Sequence, residues 1–375
     1  MNRKKILYVL GGNYAASGMP AVITQKMNFL AENTDYELTA LMTESPKAPM
    51  YYPLNQNIKV INFDINFDSL DTMPIYNRLW HYRKKRFIYK RKFTELLLNE
   101  HYDIVVSAMR REINFLTDIK DGSKKVGELH FNRSIYRVFN SRLFPQIINR
   151  AITSYWQNKL IRTIKKLDKF IVLSKEDAEA WGNLINMEII PNPIKKIPLQ
   201  ISSCTNKKVI AVGRYTWQKG FDMLIEAWKI VDQRHPDWEL HIYGSGDKDS
   251  YQRIAPHGVF CHESVKDIYS KYIESSIFAF SSRYEGFGLA LAEAMSCGLP
   301  AVSFACPCGP KDIITDDGIL VEPNDINNLA NNICKLIEDE SLRKKMGEKG
   351  HNNMKRYSEK VIMQKWLSVF DSLVM

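Results

Sequence analysis

A chain of 375 residues exceeds the usual size of a single hydrophobic core and calls for two domains of ordinary size. Apolar residues make up 45% and charged residues 25%, the balance of a globular protein, and no run of about eighteen apolar residues offers a membrane-spanning helix. The formal net charge of +10 falls mainly in the first half, where it suits an anionic surface such as membrane or nucleic acid.

At the N-terminus, Arg3, Lys4 and Lys5 precede the apolar run Ile6-Leu7-Tyr8-Val9-Leu10, as basic residues precede the core of a signal peptide. That core is too short and runs straight into Gly11-Gly12, so the segment predicts a first strand, Lys5 to Leu10. A small-residue loop to Pro20, a helix from about Ala21 to Glu32 and a strand from Tyr36 to Thr43 follow. Further strands are predicted at Ile58 to Phe63, Ile104 to Ala108, Lys125 to Leu129 and Lys169 to Leu173. Helical patterns lie between them, notably Ile75 to Asn99 and Ser141 to Leu167. Such alternation predicts a parallel, doubly wound sheet.

Two segments of this half mix cations with aromatics. Residues 76–93 set Arg78, Arg83, Lys84, Lys85, Arg86, Lys90, Arg91 and Lys92 around Trp80, Tyr82, Phe87, Tyr89 and Phe93. Residues 133–162 set Arg133, Arg137, Arg142, Arg150, Lys159 and Arg162 around Tyr136, Tyr155 and Trp156. On an anionic membrane surface each nearby cation contributes about 1 kcal/mol. Nucleic acid would also fit, as would plain solvated helix faces whose aromatics enter the core.

Near Ile189-Ile190-Pro191-Asn192-Pro193 the pattern breaks, and Pro198 with the polar run Ser202 to Lys207 completes an expected linker over residues 191–207. This predicts an N-terminal domain over 1–190, a C-terminal domain over 208–356 and a closing helix over 357–375. Lys208 to Val212 opens the second series, with strands at Glu239 to Tyr243, Ile277 to Phe280, Pro300 to Phe304 and Ile319 to Val321. Asp325 to Lys335 and Ser341 to Arg356 read as amphipathic helices, and Trp366, Val369 and Phe370 recur at helical spacing in the tail. Six cysteines are scattered without a CxxC, and Cys306-Pro307-Cys308 lacks a second ligand pair, so no metal is expected. Reduced cysteines and no export signal point to the cytoplasm.

The second half carries the chemistry. Gly213-Arg214-Tyr215-Thr216-Trp217-Gln218-Lys219-Gly220 joins a strand to a helix with Phe221, Leu224, Ile225, Trp228 and Val231 on its apolar face. Two cations at a strand's carboxyl end and a helix start suit a diphosphate that gains charge as a sugar departs. Gly244-Ser245-Gly246, ending another strand, permits close backbone approach to a nucleotide, although a plain tight turn fits equally. Arg283-Tyr284-Glu285-Gly286-Phe287-Gly288-Leu289 leads into Ala290-Leu291-Ala292-Glu293, placing Glu285 on a glycine-flanked loop and Glu293 on the helix that follows. Open α/β sheets bind ligands at that end of a strand. Carboxylates beside phosphate-facing amides would repel an anion, so they are expected to grip neutral hydroxyls. Phosphate with many hydroxyls describes a nucleotide sugar.

From Gly213-Arg214 through Glu285-x7-Glu293 to Glu322, these motifs resemble, in order, those of the retaining glycosyltransferases of family 4 (the group 1 glycosyltransferases). The resemblance implies the GT-B fold, two Rossmann-like doubly wound parallel-sheet domains facing an interdomain cleft, with the last helix crossing back to the first domain. It implies that Arg214 and Lys219 stabilise the departing diphosphate, that Glu293 accepts from both ribose hydroxyls and that Glu285 contacts the donor sugar. Gly213, Gly244, Gly246, Gly286, Phe287, Gly288 and Leu289 would line the donor. Gly309 and Pro310 in Cys308-Gly309-Pro310-Lys311-Asp312-Ile313-Ile314 match the family's Gly-Pro-x-(Glu or Asp)-Ile-Ile loop near the donor sugar. His130 resembles a histidine that reaches the donor sugar across the cleft. Gly18 resembles the glycine loop facing diphosphate and acceptor, although Met19 stands where the family has a second glycine. The glycine that reads the base is absent from Phe260 to Val265, which leaves the base open.

The expected function is retaining transfer of a sugar from a UDP- or GDP-sugar to a glycan or lipid-linked acceptor. The expected setting is bacterial surface polysaccharide (capsule, O-antigen or lipopolysaccharide) assembly, with no metal or other cofactor. The protein would sit at the inner face of the cytoplasmic membrane through segments 76–93 and 133–162. A nucleotide-sugar epimerase on the same fold is the nearest rival. A basic nucleic-acid-binding protein is another, but nothing resembles a helix-turn-helix, an RNA-recognition motif or a zinc module, so no nucleic acid is expected.

Overall fold

The computed structural model describes residues 3–14, 17–44, 49–136, 138–141 and 144–374. Arg137 and Arg142, named above among the cations, lie outside the described residues. The chain divides into two compact units: Met1–Val172 with Ala180–Ile190 and Met363–Met375, and Leu173–Glu179 with Pro191–Ile362.

The first unit is built on strands β1 (Lys5–Val9), β2 (Glu37–Met42), β3 (Lys59–Asn62), β4 (Ile104–Ser107), β5 (Lys124–Glu128), β6 (Lys169–Val172) and β7 (Met187–Ile189). They form one parallel sheet in the order β3-β2-β1-β4-β5-β6-β7. Ile6, Leu7, Tyr8 and Val9 are all buried, as a strand covered on both faces requires. The helices are α1 (Gly18–Asn33), α2 (Ile75–Glu100) and α3 (Gln146–Ile164). Helix α1 begins at Gly18, three residues before the expected start, because Pro20 is tolerated in a first turn, where its missing N–H has no helical partner. Helix α3 begins five residues later than Ser141, just after Pro145, and the Asn149 amide donates back to the carbonyls of Ser141 and Phe144. Strand β7, not anticipated, is three residues at the sheet edge.

Helix α4 (Lys175–Trp181) straddles the division between units. The second unit is built on β8 (Lys208–Val212), β9 (Glu239–Gly244), β10 (Val259–Glu263), β11 (Ile277–Phe280), β12 (Ala301–Phe304) and β13 (Gly318–Val321). Its parallel sheet runs β10-β9-β8-β11-β12-β13. Its helices are α5 (Phe221–Arg234), α6 (Lys248–Ile254), α7 (Ile268–Ile273), α8 (Leu289–Ser296), α9 (Pro310–Ile313), α10 (Ile326–Glu338) and α11 (Glu340–Met354). The α5 face read from sequence enters the core, where Leu224, Ile225, Trp228 and Val231 are fully buried beside Leu240 and Ile242.

Two expectations need correction. Strand β10 falls where no strand was expected, since Cys261-His262-Glu263 hides an edge strand behind polar residues. The expected linker is packed into the second unit: the Ser202 N–H donates to the Cys297 carbonyl at 2.8 Å, and Ile194 and Cys204 are buried. Prolines break helices and ladders there without making the segment loose. The chain ends in α12 (Glu359–Val374), in which Trp366, Val369 and Phe370 are buried and Asp371 pairs with Lys4 at 2.5 Å.

Each sheet reverses its strand order beside its first strand, between β1 and β4 and between β8 and β11. Ligands bind open α/β sheets outside the carboxyl ends at such a switch point.

Candidate active site of the second unit

The β8 and β11 ends meet at that switch point. After β8 the chain stays against the β9 end: the Gly213 N–H donates to the Tyr243 carbonyl at 3.0 Å, and the Tyr215 N–H to the Ser245 carbonyl at 2.8 Å. A Cβ on Gly244 would stand 1.7 Å from the Gly213 carbonyl oxygen, so only glycine fits. The Lys219 stem lies across Gly213, 3.0 Å from where a Cβ would be. Gly220, with φ of +63°, then turns the chain into α5, and its own Cβ would meet the Ser281 carbonyl at 2.1 Å. Gly244→Ala is therefore expected to cost at least about 1–3 kcal/mol, read as a lower urea midpoint at unchanged slope. A midpoint equal to the parent's would mean that the β8 and β9 ends separate freely.

These contacts aim Lys219 at Glu285. Its Nζ donates to Glu285 Oε1 at 2.7 Å, with the two side chains 15% and 8% exposed. The Glu285 N–H is held by the Pro307 carbonyl at 3.0 Å. Arg283 makes a two-pronged pair with Asp222 at 2.9 and 2.6 Å and also donates to the Trp217 carbonyl, tying this loop to the start of α5. Burial works against the Asp222 carboxyl, but Arg283 holds it below its ordinary value. Arg214 is exposed on the same loop as Lys219 and has no ion-pair partner among the described residues.

Gly286, Phe287 and Gly288 lead into α8. Gly288, with φ of +94°, caps the helix, and its carbonyl accepts from the Leu291 and Ala292 amides at 3.0 and 3.2 Å. Gly309 adopts φ of +121° with the Phe287 carbonyl where a Cβ would lie, 1.8 Å away, so the two glycine turns interlock. Pro310 opens α9. Gly246, with φ of +117°, rests against Tyr215. On α8, Leu291, Ala292, Ala294 and Met295 are buried and carry Glu293 with them; its side chain keeps some exposure while its carboxyl is deeply set. Desolvation raises that carboxyl to about 7, and Lys195 pulls weakly the other way.

In the first unit Gly18 is the first residue of α1, behind Ser17, with open space where its Cβ would point. His130 follows β5 and is turned inward, its side chain 4% exposed and its Nε2 3.1 Å from Glu128 Oε1. Among the described residues no cluster of three His, Cys, Asp or Glu is placed to hold a metal ion. Sequence reading missed the Arg283–Asp222 clamp, Lys195 beside Glu293 and a buried Lys26–Glu128 pair behind His130; in each, at least one partner lies outside any motif, and the fold brings the two together.

The basic segments divide. Tyr89 and Phe93 enter the core, as the solvated-face alternative expects of aromatics, but Trp80 and Phe87 on α2 and Ile147 and Tyr155 on α3 are more than half exposed. Lys84 lies 5.4 Å from the Trp80 ring centre. Among the described residues no helix is long and apolar enough to cross a membrane.

Residues 199–353 match the model of the family described as glycosyl transferases group 1. The chain is 29% identical over 230 residues to an uncharacterized glycosyltransferase of Haemophilus influenzae, covering 56% of this chain and 65% of that protein. It is 32% identical over 255 residues to a poly(ribitol-phosphate) alpha-N-acetylglucosaminyltransferase of Staphylococcus aureus, covering 65% of this chain and 52% of that protein. The chain thus spans less than two thirds of the length of either curated relative. Among solved structures, TarM of S. aureus in complex with Fondaparinux, alpha-GlcNAc-glycerol and UDP matches with a TM-score of 0.75 at 17% identity, over 98% of this chain and 100% of that one. The shared architecture is GT-B, two Rossmann-like parallel-sheet units.

Proposed function

We propose, for a chain that belongs through residues 199–353 to the group 1 glycosyl transferases, that it moves a sugar from a nucleotide-sugar donor to a glycan or lipid-linked acceptor with retention of configuration. The observation that carries this reading is the Lys219–Glu285 pair, held by glycines that admit no side chain, at the switch point of the second sheet. The donor nucleotide is assigned to the second unit, and the acceptor, with His130, to the first. UDP is the first nucleotide to test, because TarM is described with UDP; GDP is the alternative. The relative that acts on poly(ribitol-phosphate) supports a surface-polymer acceptor and an alpha linkage, which an alpha-linked donor yields by retention. Capsule, O-antigen or lipopolysaccharide assembly would be the setting, at the inner face of the cytoplasmic membrane.

The Lys219 ammonium is neutralised by Glu285. An arriving diphosphate competes for that ammonium, and the Glu285 carboxylate can accept hydrogen bonds from donor-sugar hydroxyls. Glu293 accepts from the ribose hydroxyls. The bond between the anomeric carbon and the phosphate oxygen breaks while the acceptor hydroxyl attacks from the same face, and its proton passes to the leaving phosphate. No protein nucleophile and no metal is needed in this scheme: Arg214 and Lys219 meet the charge that develops on the diphosphate. A thermal-shift screen against UDP, GDP, ADP and their sugars tests the reading, since stabilisation grows with ligand concentration over dissociation constant. One nucleoside diphosphate should stand apart, and a flat response to all of them would end the proposal. Release of free sugar without any acceptor would favour an epimerase instead.

Segments 76–93 and 133–162 are proposed as the membrane-facing surface, on the exposed rings of Trp80, Phe87 and Tyr155 among cations. Replacing Trp80 and Phe87 together by serine is expected to weaken binding to vesicles rich in anionic lipid at least about tenfold, since each ring contributes about 1.5–3 kcal/mol on burial. Flotation unchanged by the double substitution would return these rings to ordinary surface.

A further inference from the structure

The first unit contains a buried chain of charges that none of the motifs uses. Lys26, in the middle of α1, is fully buried. Its Nζ donates to Glu128 Oε1 and lies 4.2 Å from the centre of the Trp366 ring on α12. Glu128, the last residue of β5, is 1% exposed, and the same Oε1 stands 3.1 Å from Nε2 of His130. Among the described residues neither Glu128 Oε2 nor His130 Nε2 has an aligned hydrogen-bond partner, so the ring sits close to the carboxylate without yet pointing a proton at it.

A buried ammonium and carboxylate cost several kcal/mol to desolvate, and well-packed apolar residues of similar size often serve stability as well or better. Stability alone is therefore a poor account of Lys26 and Glu128. Burial by itself would raise the Glu128 carboxyl, yet Lys26 and then His130 pull it down to about 2, so it remains an anion. An anion can accept only from a protonated ring nitrogen, so a hydrogen bond to Glu128 would put the hydrogen on Nε2 and, in the neutral ring, leave Nδ1 to accept from a ligand hydroxyl.

We propose that Lys26 and Glu128 are positioning residues that hold the His130 imidazole in one orientation and one tautomer for the acceptor assigned to the first unit, with Trp366 of the C-terminal helix locking the lysine in place. This rests on the role given to His130 above. The last helix is then part of the working site of the first unit as well as a cover for its core.

The test replaces the charged pair by an apolar one, Lys26→Met with Glu128→Met, in the full-length chain. Such exchanges of buried ion pairs are often neutral for folding. The expected result is a folded protein that keeps its thermal shift with nucleoside diphosphate and its donor KM, while turnover falls about 10–100-fold, the scale of loss known for partners that orient metal-ligating histidines. Wild-type turnover in the double variant, with His130→Ala inactive, would overturn the positioning role and leave the parent reading standing. Full transfer by His130→Ala would remove that reading and this inference with it. Should the double variant fail to fold, 15N shifts of His130 in the parent answer the same question. A single Nε2–H tautomer supports the proposal; an Nδ1–H tautomer or a mixture of the two overturns it.

Discussion

Lys219→Ala is expected to lower turnover at saturating donor by about 10²–10³, the loss typical of one preorganised charge-stabilising donor. Geometry makes the effect specific. The lysine stem crosses Gly213 so closely that its ammonium has little choice of direction, and the Glu285 carboxylate fixes its end. A flexible surface cation would lose that orientation and contribute less. The substitution removes an ion pair in which Glu285 is 6% exposed, so some loss of stability accompanies the loss of rate. Lys219→Arg should restore part of the rate, because charge returns at a similar reach. Steady-state transfer kinetics with saturating nucleotide sugar check the result, and near-normal turnover in Lys219→Ala would defeat the role assigned.

Glu293 carries the second large effect, and its two parts have opposite signs. Its carboxyl titrates near 7 in the folded chain against an ordinary 4.5, because burial disfavours the anion. The native state therefore holds the proton more tightly than the unfolded chain does. Stability from this group is fully present below about pH 4.5 and is lost as pH rises through 7, by at most about 3 kcal/mol. Glu293→Gln should flatten that decline and leave the empty protein more stable at pH 8. Nucleotide binding runs the other way: ribose hydroxyls donate best to the ionised carboxylate, so affinity should rise from pH 6 to pH 8. Glu293→Ala should weaken nucleoside diphosphate binding about 10–100-fold, as loss of charge-assisted hydrogen bonds would. Unfolding curves across pH and calorimetric titrations separate the two parts. An unchanged dissociation constant would remove Glu293 from the ribose site.

The legible parts of this chain are those whose signal is local. Buried parallel strands read as apolar runs, and β1, β4, β8 and β11 fall within one or two residues of their expected ends. Glu285 on a loop and Glu293 on a helix followed from the glycines at 286 and 288, since Gly288 alone accepts the positive φ that starts α8. What stayed hidden depends on distant packing. Thr24-Gln25-Lys26 reads as the polar side of a helix, and only Trp366, at the far end of the chain, and Glu128 on β5 make that lysine an interior residue. Arg283 stood inside the motif without a role because its partner, Asp222, lies 61 positions earlier. Prolines at 191 and 193 announced a break in regular structure but said nothing about whether the segment would pack. For β10, the edge position tolerates the polar residues that disguised it.

The most direct test is a calorimetric titration of UDP, and separately GDP, into the intact chain and into the Arg214→Ala, Lys219→Ala double variant. At least one nucleotide should bind the parent with a clear heat and bind the double variant about a hundredfold more weakly or not at all, as two charge-assisted contacts would require. Equal affinity in both proteins, or no binding by the parent, would contradict this expectation.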